Sequence, residues 1–176
     1  MSIDARTLPR ESERTAAQMA IMQLHARYVD AVWRKDHEAI GDCLTEDCEW
    51  KIAGNTIMGR AAAVAYERRM SDQAKKIFVT LRTPVLDIGI GIAAGRTYFS
   101  ARNFRVDGRL QTVLGIYYER FVKEPDGWRI NWRVFETLQF DMGDGTSKLM
   151  DVPDFGPPPT MPPPDYTPPA PSLELK

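Results

Sequence analysis

Residues 115–133 read GIYYERFVKEPDGWRINWR, and this stretch decides the fold. Glu124-Pro125-Asp126-Gly127 is a turn sequence, and aromatic and β-branched residues flank it on both sides, so the stretch predicts two long paired strands. Working outward, we predict three strands of 12 to 14 residues, at Gly95–Val106, Leu110–Lys123 and Trp128–Phe140. Asp107-Gly108 joins the first two as a type I′ hairpin turn. Strands this long must curl strongly, which predicts a curved sheet with an enclosed inner face.

The first half of the chain has helical periodicity. Apolar residues recur every three or four positions between Thr15 and Trp33, which predicts a first helix. Asp36 is a candidate N-cap for a short helix at His37–Leu44, and Gly59 precedes a third helix at Arg60–Gln73. Short strands are predicted at Cys48–Ile52, at Thr56–Met58 and within Ile77–Ile88, where Pro84 must occupy an edge or a bulge. Helices followed by antiparallel strands predict an α+β fold: a cone-shaped, curved antiparallel or mixed sheet wrapped on N-terminal helices.

Composition excludes several classes of protein. The chain has 176 residues, 43% hydrophobic and 27% charged, with a net charge of −1, which gives no electrostatic case for nucleic acid. No apolar run is long enough to span a membrane, and the polar N-terminus lacks a signal peptide's apolar core, so we expect a cytoplasmic protein. Cys43 and Cys48 with two scattered histidines show no metal-ligand spacing, and no dinucleotide fingerprint is present. We therefore expect neither metal nor organic cofactor.

Proline marks the end of the globular part. Ten of the 13 prolines fall in residues 151–176, where the net charge is −3. Such a segment favours extended polyproline II structure over helix or interior strand. We predict an N-terminal arm at 1–14, one cone domain at 15–145 and a proline-rich extended tail at 146–176, which would serve as an arm around a neighbouring chain or as a lid.

Two stretches resemble the SnoaL-like branch of the nuclear transport factor 2-like superfamily. They are LHARYVDAVWRKDHEAIGDCLTEDCEW at 24–50, followed by the glycine at 59, and the strand–turn–strand segment at 115–133. The resemblance implies the cone fold. It also implies a choice between cofactor-independent enzymes (dehydratases, dehydrochlorinases, isomerases and lyases of aromatic dimers) and non-catalytic members such as small subunits of aromatic-ring dioxygenases. Relatives also form dimers or trimers through the outer sheet face, so a homo-oligomer is expected.

The catalytic His–Asp pair that the resemblance implies is absent. Trp33 stands at the position of the acid, and no histidine occurs at 77–79. Four residues are candidates to replace the pair: Tyr28, in the apolar stripe, as a proton or hydrogen-bond donor; His25 or Asp30 as a base; and Arg133 as the partner of a developing negative charge. Each has a structural alternative: a core tyrosine, a surface or interface histidine, a solvated carboxylate, and a salt bridge from the arginine to Glu119 or Glu136.

Further side chains are candidates for binding a substrate. Trp33 would make the mouth of the cavity apolar, Arg82 and Arg96 would clamp an anion or phenolate, and the remaining candidates are Tyr98, Asn103 and Tyr117. Strand alternation separates Arg96 and Tyr98 from Asn103 but does not decide which face is inward.

The leading hypothesis is a cofactor-independent lyase, dehydratase or isomerase. Its small-molecule substrate would be a bulky hydroxylated aromatic compound, such as a lignin-derived phenolic in aromatic catabolism, or a polycyclic molecule. The alternative is a non-catalytic subunit or a small-molecule-binding module.

Overall fold

A curved sheet with three helices on its concave side forms the protein. The computed structural model describes residues 9–150. The helices are α1 (Glu11–Arg34), α2 (His37–Gly41) and α3 (Arg60–Asp72). The strands are β1 (Leu44–Ile52), β2 (Asn55–Met58), β3 (Ala74–Leu81), β4 (Val85–Ile88), β5 (Ile92–Arg105), β6 (Leu110–Glu124), β7 (Gly127–Asp141) and β8 (Lys148–Leu149). The predicted α+β cone fold is confirmed.

The sheet has the order β2-β1-β7-β6-β5-β3, while β4 also pairs with β5 and β8 with β7. The β1–β7 pair is parallel, and the other pairs are antiparallel, so the sheet is mixed. The register between β6 and β7 shifts at Leu114/Gly115 and again at Arg120/Phe121. Such irregularities bend strands and increase their twist, which lets strands of this length close around the helices.

The helices begin and end where local chemistry dictates. Helix α1 starts at Glu11, four residues before the predicted start, because the Glu13 carboxylate accepts hydrogen bonds from the backbone amide and from the guanidinium of Arg10. The Asp36 carboxylate accepts a hydrogen bond from the amide of Ala39 and caps α2, as predicted. Helix α2 ends at Gly41 rather than at Leu44, since β1 already begins at Leu44. The predicted arm at 1–14 and tail at 146–176 fall largely outside the described residues.

Gly115 allows the sheet to close over the core. A β-carbon at this position would lie 2.6 Å from the ring of Phe99 and would overlap the carbonyl oxygen of Glu136 on β7. We therefore expect Gly115→Ala to lower the free energy of unfolding by about 1–3 kcal/mol, the usual cost of overpacking. Urea denaturation followed by tryptophan fluorescence measures this loss. A loss below about 0.5 kcal/mol would contradict the prediction, because it would show that the strands can move apart without losing stability.

Within residues 9–150, no helix is both long and apolar enough to cross a membrane. The cytoplasmic location stays a prediction.

Candidate functional site

An apolar cavity of about 200 Å³ lies inside the cone, between α1, α3 and the inner face of the sheet. Val32, Phe99 and Val113 are among its apolar walls. Polar side chains reach the wall from five elements, α1, α3, β5, β6 and β7: Tyr28, Tyr66, Glu67, Asn103, Gln111, Tyr117 and Thr137. An apolar space with a few convergent polar groups is the usual form of a small-molecule site.

Tyr28 and Glu67 form the one direct helix-to-helix hydrogen bond of this cavity wall among the residues described. Tyr28 belongs to the apolar stripe of α1, and Glu67 lies one turn after buried Ala63 on α3. The Tyr28 hydroxyl donates to Oε1 of Glu67 at 3.1 Å. This contact puts a hydroxyl donor and a carboxyl group side by side at the wall of an apolar space.

Burial raises the pKa of both groups. The pKa of Tyr28 lies well above its ordinary value because its hydroxyl is desolvated and sits beside the Glu67 carboxyl. Desolvation also raises the pKa of Glu67, against the hydrogen bond from Tyr28 and the charge of Arg133, which lower it. Tyr28 is thus a neutral hydrogen-bond donor, and burial makes the Glu67 carboxyl group more basic than one in water.

A buried ion-pair network lies beneath this pair. Nε and Nη2 of Arg133 donate to Oε1 of Glu119 at 2.9 and 2.7 Å. Nε2 of His25 donates to Oε2 of Glu119 at 2.8 Å, and the hydroxyl of Thr97 reaches the same oxygen at 3.3 Å. Arg133 therefore forms the salt bridge to Glu119 that was the structural alternative.

Arg133 touches the cavity only through aromatic rings. Its guanidinium carbon lies 4.3 Å from the ring centroids of both Tyr28 and Tyr117, and 5.0 Å from that of Trp50. Phe99 stacks on Tyr117 at 4.4 Å. The positive charge consequently lies behind the two tyrosines and does not line the cavity.

The structure separates the predicted site residues into groups. Tyr28, Asn103 and Tyr117 line the cavity, and Asn103 donates to Gln111 at 3.1 Å. His25 and Arg133 belong to the buried network beneath it.

The other predicted residues lie elsewhere. Asp30 is on the exposed side of α1, paired with Arg34 at 2.9 Å, because it stands about 200° around the helix from Tyr28. Arg96 and Tyr98 alternate with inward-facing Phe99 on β5 and therefore point to the outer face. Trp33 and Arg82 line a separate groove between α1 and the β3–β4 connection.

Trp33 meets the strand on which the resemblance implies a histidine. Its indole nitrogen donates to the carbonyl oxygen of Val79 at 2.7 Å. The two positions of the implied His–Asp pair are thus adjacent in space, but a tryptophan-to-backbone hydrogen bond joins them. Acid–base chemistry in this chain must use other groups.

Sequence reasoning missed Glu67. The signal was present, since Ala63, Tyr66 and Met70 define one face of α3 and position 67 lies within that face at helical spacing. A carboxylate in an otherwise apolar stripe is an unusual feature that points to a specific partner.

The pKa of Glu119 predicts acid sensitivity. Burial alone would raise it, but the charges and hydrogen bonds of His25 and Arg133 outweigh burial and hold the pKa at about 2. Since the folded-state value is below that of the unfolded chain, this contribution to stability is present above about pH 4.3 and is lost as the pH falls toward 2. We expect Glu119→Gln to be less stable than wild type at pH 7, with the difference narrowing below pH 4. Urea titrations at pH 7, 4 and 3 measure it, and a difference independent of pH would contradict it.

No group of three or more His, Cys, Asp or Glu side chains suited to a metal ion occurs within residues 9–150. The cavity wall offers three tyrosines, one carboxyl group, two amides and a threonine, which is a set for proton transfer and hydrogen bonding.

Solved structures define the class of fold. A protein of unknown function from Mycobacterium tuberculosis is 23% identical, with a TM-score of 0.67 over 73% of this chain and 76% of that one. A scytalone dehydratase-like protein from Novosphingobium aromaticivorans is 18% identical, with a TM-score of 0.70 over 77% and 93%. The hexachlorocyclohexane dehydrochlorinase LinA-type3 from Novosphingobium barchaimii is 14% identical, with a TM-score of 0.70 over 78% and 97%. These likenesses establish the nuclear transport factor 2-like cone fold.

The family follows from the sequence itself. The profile of the SnoaL-like domain matches residues 13–134, and the chain belongs to that family. No curated protein matches the sequence significantly.

Proposed function

We propose that the protein is a cofactor-free lyase or isomerase whose reaction is a proton transfer inside the cone cavity. The hydrogen-bonded pair of Tyr28 and Glu67 at the cavity wall carries this proposal. A desolvated carboxylate is a stronger base than one in water, and a neutral phenol beside it can give a proton to an oxygen. Dehydratase and dehydrochlorinase structures among the neighbours agree with this class of chemistry.

In a dehydration, Glu67 and Tyr28 together accept and donate every proton that moves. The Glu67 carboxylate takes a proton from carbon, and the electron pair of that C–H bond becomes the new carbon–carbon double bond. The adjacent C–O bond breaks, and its oxygen leaves as water with the proton of the Tyr28 hydroxyl. The proton on Glu67 then returns to the Tyr28 oxygen across their hydrogen bond, 3.1 Å long in the free protein. An isomerisation shares the first step, after which Glu67 returns its proton to another carbon while Tyr28 donates to the enolate oxygen.

Arg133 supports both reactions without touching the substrate. Its guanidinium lies 4.3 Å from the ring centres of Tyr28 and Tyr117 and stabilises negative charge that develops at their hydroxyls or on an oxygen bonded to them. Such a charge, fixed before the reaction and held away from water, costs no reorganisation when the transition state forms.

The cavity volume narrows the substrate class. A space of about 200 Å³ is only slightly larger than the roughly 150 Å³ cavity that binds benzene and smaller than the roughly 300 Å³ at which drug-sized pockets begin. A hydroxylated molecule of one or two rings fits this space, and a polycyclic one would need the walls to move. Asn103 and Gln111 offer amide groups to a second oxygen of the substrate.

We infer assembly into a dimer or trimer through the outer face of the sheet. Of the apolar side chains on that face, Leu114 is 47% exposed, while Ile116, Trp132 and Val134 are already buried within one chain. Light scattering on the full chain and on a chain ending at Met150 tests the assembly and the tail's part in it. A monomeric full chain would contradict the proposal.

A panel of hydroxylated one-ring and two-ring aromatics and cyclic ketones tests the enzyme. Binding at 100 times the dissociation constant adds roughly 2.7 kcal/mol, which raises the melting temperature by several degrees. Compounds that stabilise the protein are then incubated with it, and products are identified by mass spectrometry and NMR. Loss of water or a shifted double bond supports the proposal, whereas binding without turnover across the panel would favour a binding module.

A further inference from the structure

Helix α1 presents a second face to a groove outside the cone cavity. Tyr28 and Val32 face the cavity, whereas Met22, Val29 and Trp33 face a groove closed on its other side by residues 79–84 of β3 and the β3–β4 connection. The groove has a volume of about 350 Å³, within the usual range for small-molecule sites. Val79 belongs to the walls of both spaces, but neither Glu67 nor Tyr28 lines the groove, so it is distinct from the proposed reaction site.

The side chains that line the groove suit a flat, apolar ligand. Met22, Val29, Leu81 and Pro84 supply aliphatic surface from both sides. Trp33 is 43% exposed, and its ring is fixed by the hydrogen bond to Val79 and by an edge contact with Phe78. A held, half-exposed indole offers stacking surface to an aromatic ring without an ordering cost on binding.

The charges of the groove all favour an anion. Among residues 9–150, no acidic side chain lines it, and Arg82 is exposed at its edge. Within residues 9–150, the Arg82 guanidinium makes no salt bridge and no side-chain hydrogen bond, whereas exposed Arg34 and Arg109 each pair with an aspartate. The backbone amide of Arg82 is anchored to the carbonyl of Tyr98 at 2.9 Å, so its side chain starts from a fixed point.

We propose that this groove is a binding site for a small aromatic monocarboxylate. The ring lies against Trp33 and Val29, and the carboxylate accepts a bidentate pair of hydrogen bonds from Arg82. One guanidinium, the single arginine or lysine that lines the groove among residues 9–150, matches one carboxylate, while a phosphate dianion would need more charged donors to replace its water. His25 forms part of the groove floor and bonds to Glu119, so the occupied groove adjoins the buried network under the cavity.

Isothermal titration of the full chain with 1-naphthoate tests this site, with 1-naphthamide as the uncharged probe of the same shape. We expect 1-naphthoate to bind at one site per chain and Arg82→Gln to weaken it about tenfold or more, the worth of a charge-assisted hydrogen bond. The amide probe should bind more weakly than naphthoate and should not respond to Arg82→Gln. Arg102→Gln removes an exposed arginine on neighbouring β5 and should leave both affinities unchanged.

A second variant separates the groove from the cone cavity. Val113→Leu places extra bulk in the cavity wall on β6, and β5 separates this position from β3 at the groove. Naphthoate binding that survives Val113→Leu and fails with Arg82→Gln supports the groove site. Binding lost with Val113→Leu but kept with Arg82→Gln, or no binding at millimolar naphthoate, would overturn the proposal without bearing on catalysis in the cavity.

Discussion

Arg133→Met is expected to lower the free energy of unfolding by about 3–5 kcal/mol, because it leaves the Glu119 carboxylate buried without the charge and the two hydrogen bonds of Arg133. Arg133 is 2% exposed and Glu119 is fully buried, and two hydrogen bonds of 2.7 and 2.9 Å join them. Burial alone would lower the pKa of Arg133, but the Glu119 charge raises it instead, so the pair stays ionised in the folded protein. A methionine fills similar space and removes the charge with little change in packing.

Urea denaturation of wild type and variant measures this loss. Arg109→Met is the matched control, since Arg109 pairs with Asp107 at 2.7 Å but both side chains are about 40% exposed. Its cost should stay below about 1 kcal/mol, as for other surface pairs. The double variant Arg133→Met/Glu119→Gln should recover part of the loss, because the remaining buried group is then neutral. A cost for Arg133→Met no larger than that of the control would contradict the network's structural role.

Glu67→Gln is expected to reduce turnover of any substrate found for the cavity by about 10²–10⁴-fold, the usual contribution of a general base. Glutamine keeps the shape and can still accept a hydrogen bond from Tyr28, so substrate affinity should change little. Steady-state kinetics separate the two effects, with kcat falling and KM nearly constant. Asp72→Asn is the control, since Asp72 lies exposed at the end of the same helix. If Glu67→Gln turned over substrate at a rate within threefold of wild type, Glu67 would not be the general base.

Glu67→Gln should also stabilise the protein at neutral pH. Burial raises the pKa of Glu67 in the folded state, so ionisation of this group opposes folding as the pH rises through the unfolded and then the folded pKa. Glutamine does not ionise, so the Glu67→Gln variant does not lose this stability as the pH rises. Stability and turnover therefore move in opposite directions, which distinguishes loss of a catalytic base from loss of folded protein.

Much of the fold could be predicted because its signals are local. The turns at 106–108 and 124–127 set the two long hairpins, and strands β5, β6 and β7 lie within three residues of their predicted ends. The predicted type I′ turn at Asp107-Gly108 is wrong, because Gly108 has a positive φ but Asp107 does not, and the amide of Arg105 donates to the carbonyl of Arg109 across a three-residue loop. The pairing of β1 with β7 is parallel and joins segments about 80 residues apart, so no local pattern indicates it. The irregularities in β6 shift which residues face inward, which simple alternation cannot foresee.

The site was harder to predict because it depends on which side chains meet across the cone. Helical spacing placed Tyr28 inward and Asp30 outward correctly, since both lie on one element. The role of Glu67, by contrast, depends on its hydrogen bond with Tyr28, which lies 39 residues away on another helix. His25 borders the inward stripe of α1, yet its partner Glu119 is 94 residues away, so its place in a buried network could not be inferred from α1 alone.

Hydrogen–deuterium exchange at carbon tests most directly whether the Tyr28–Glu67 pair moves protons. Cyclic ketones and hydroxylated aromatics that bind the protein are incubated in D₂O with wild type, Glu67→Gln or Asp72→Asn, and deuterium incorporation is followed by NMR. We expect wild type and Asp72→Asn to exchange a carbon-bound proton of at least one bound compound, and Glu67→Gln to exchange it at least 100-fold more slowly. Equal exchange in wild type and Glu67→Gln, or bound compounds that neither exchange nor react, would contradict it.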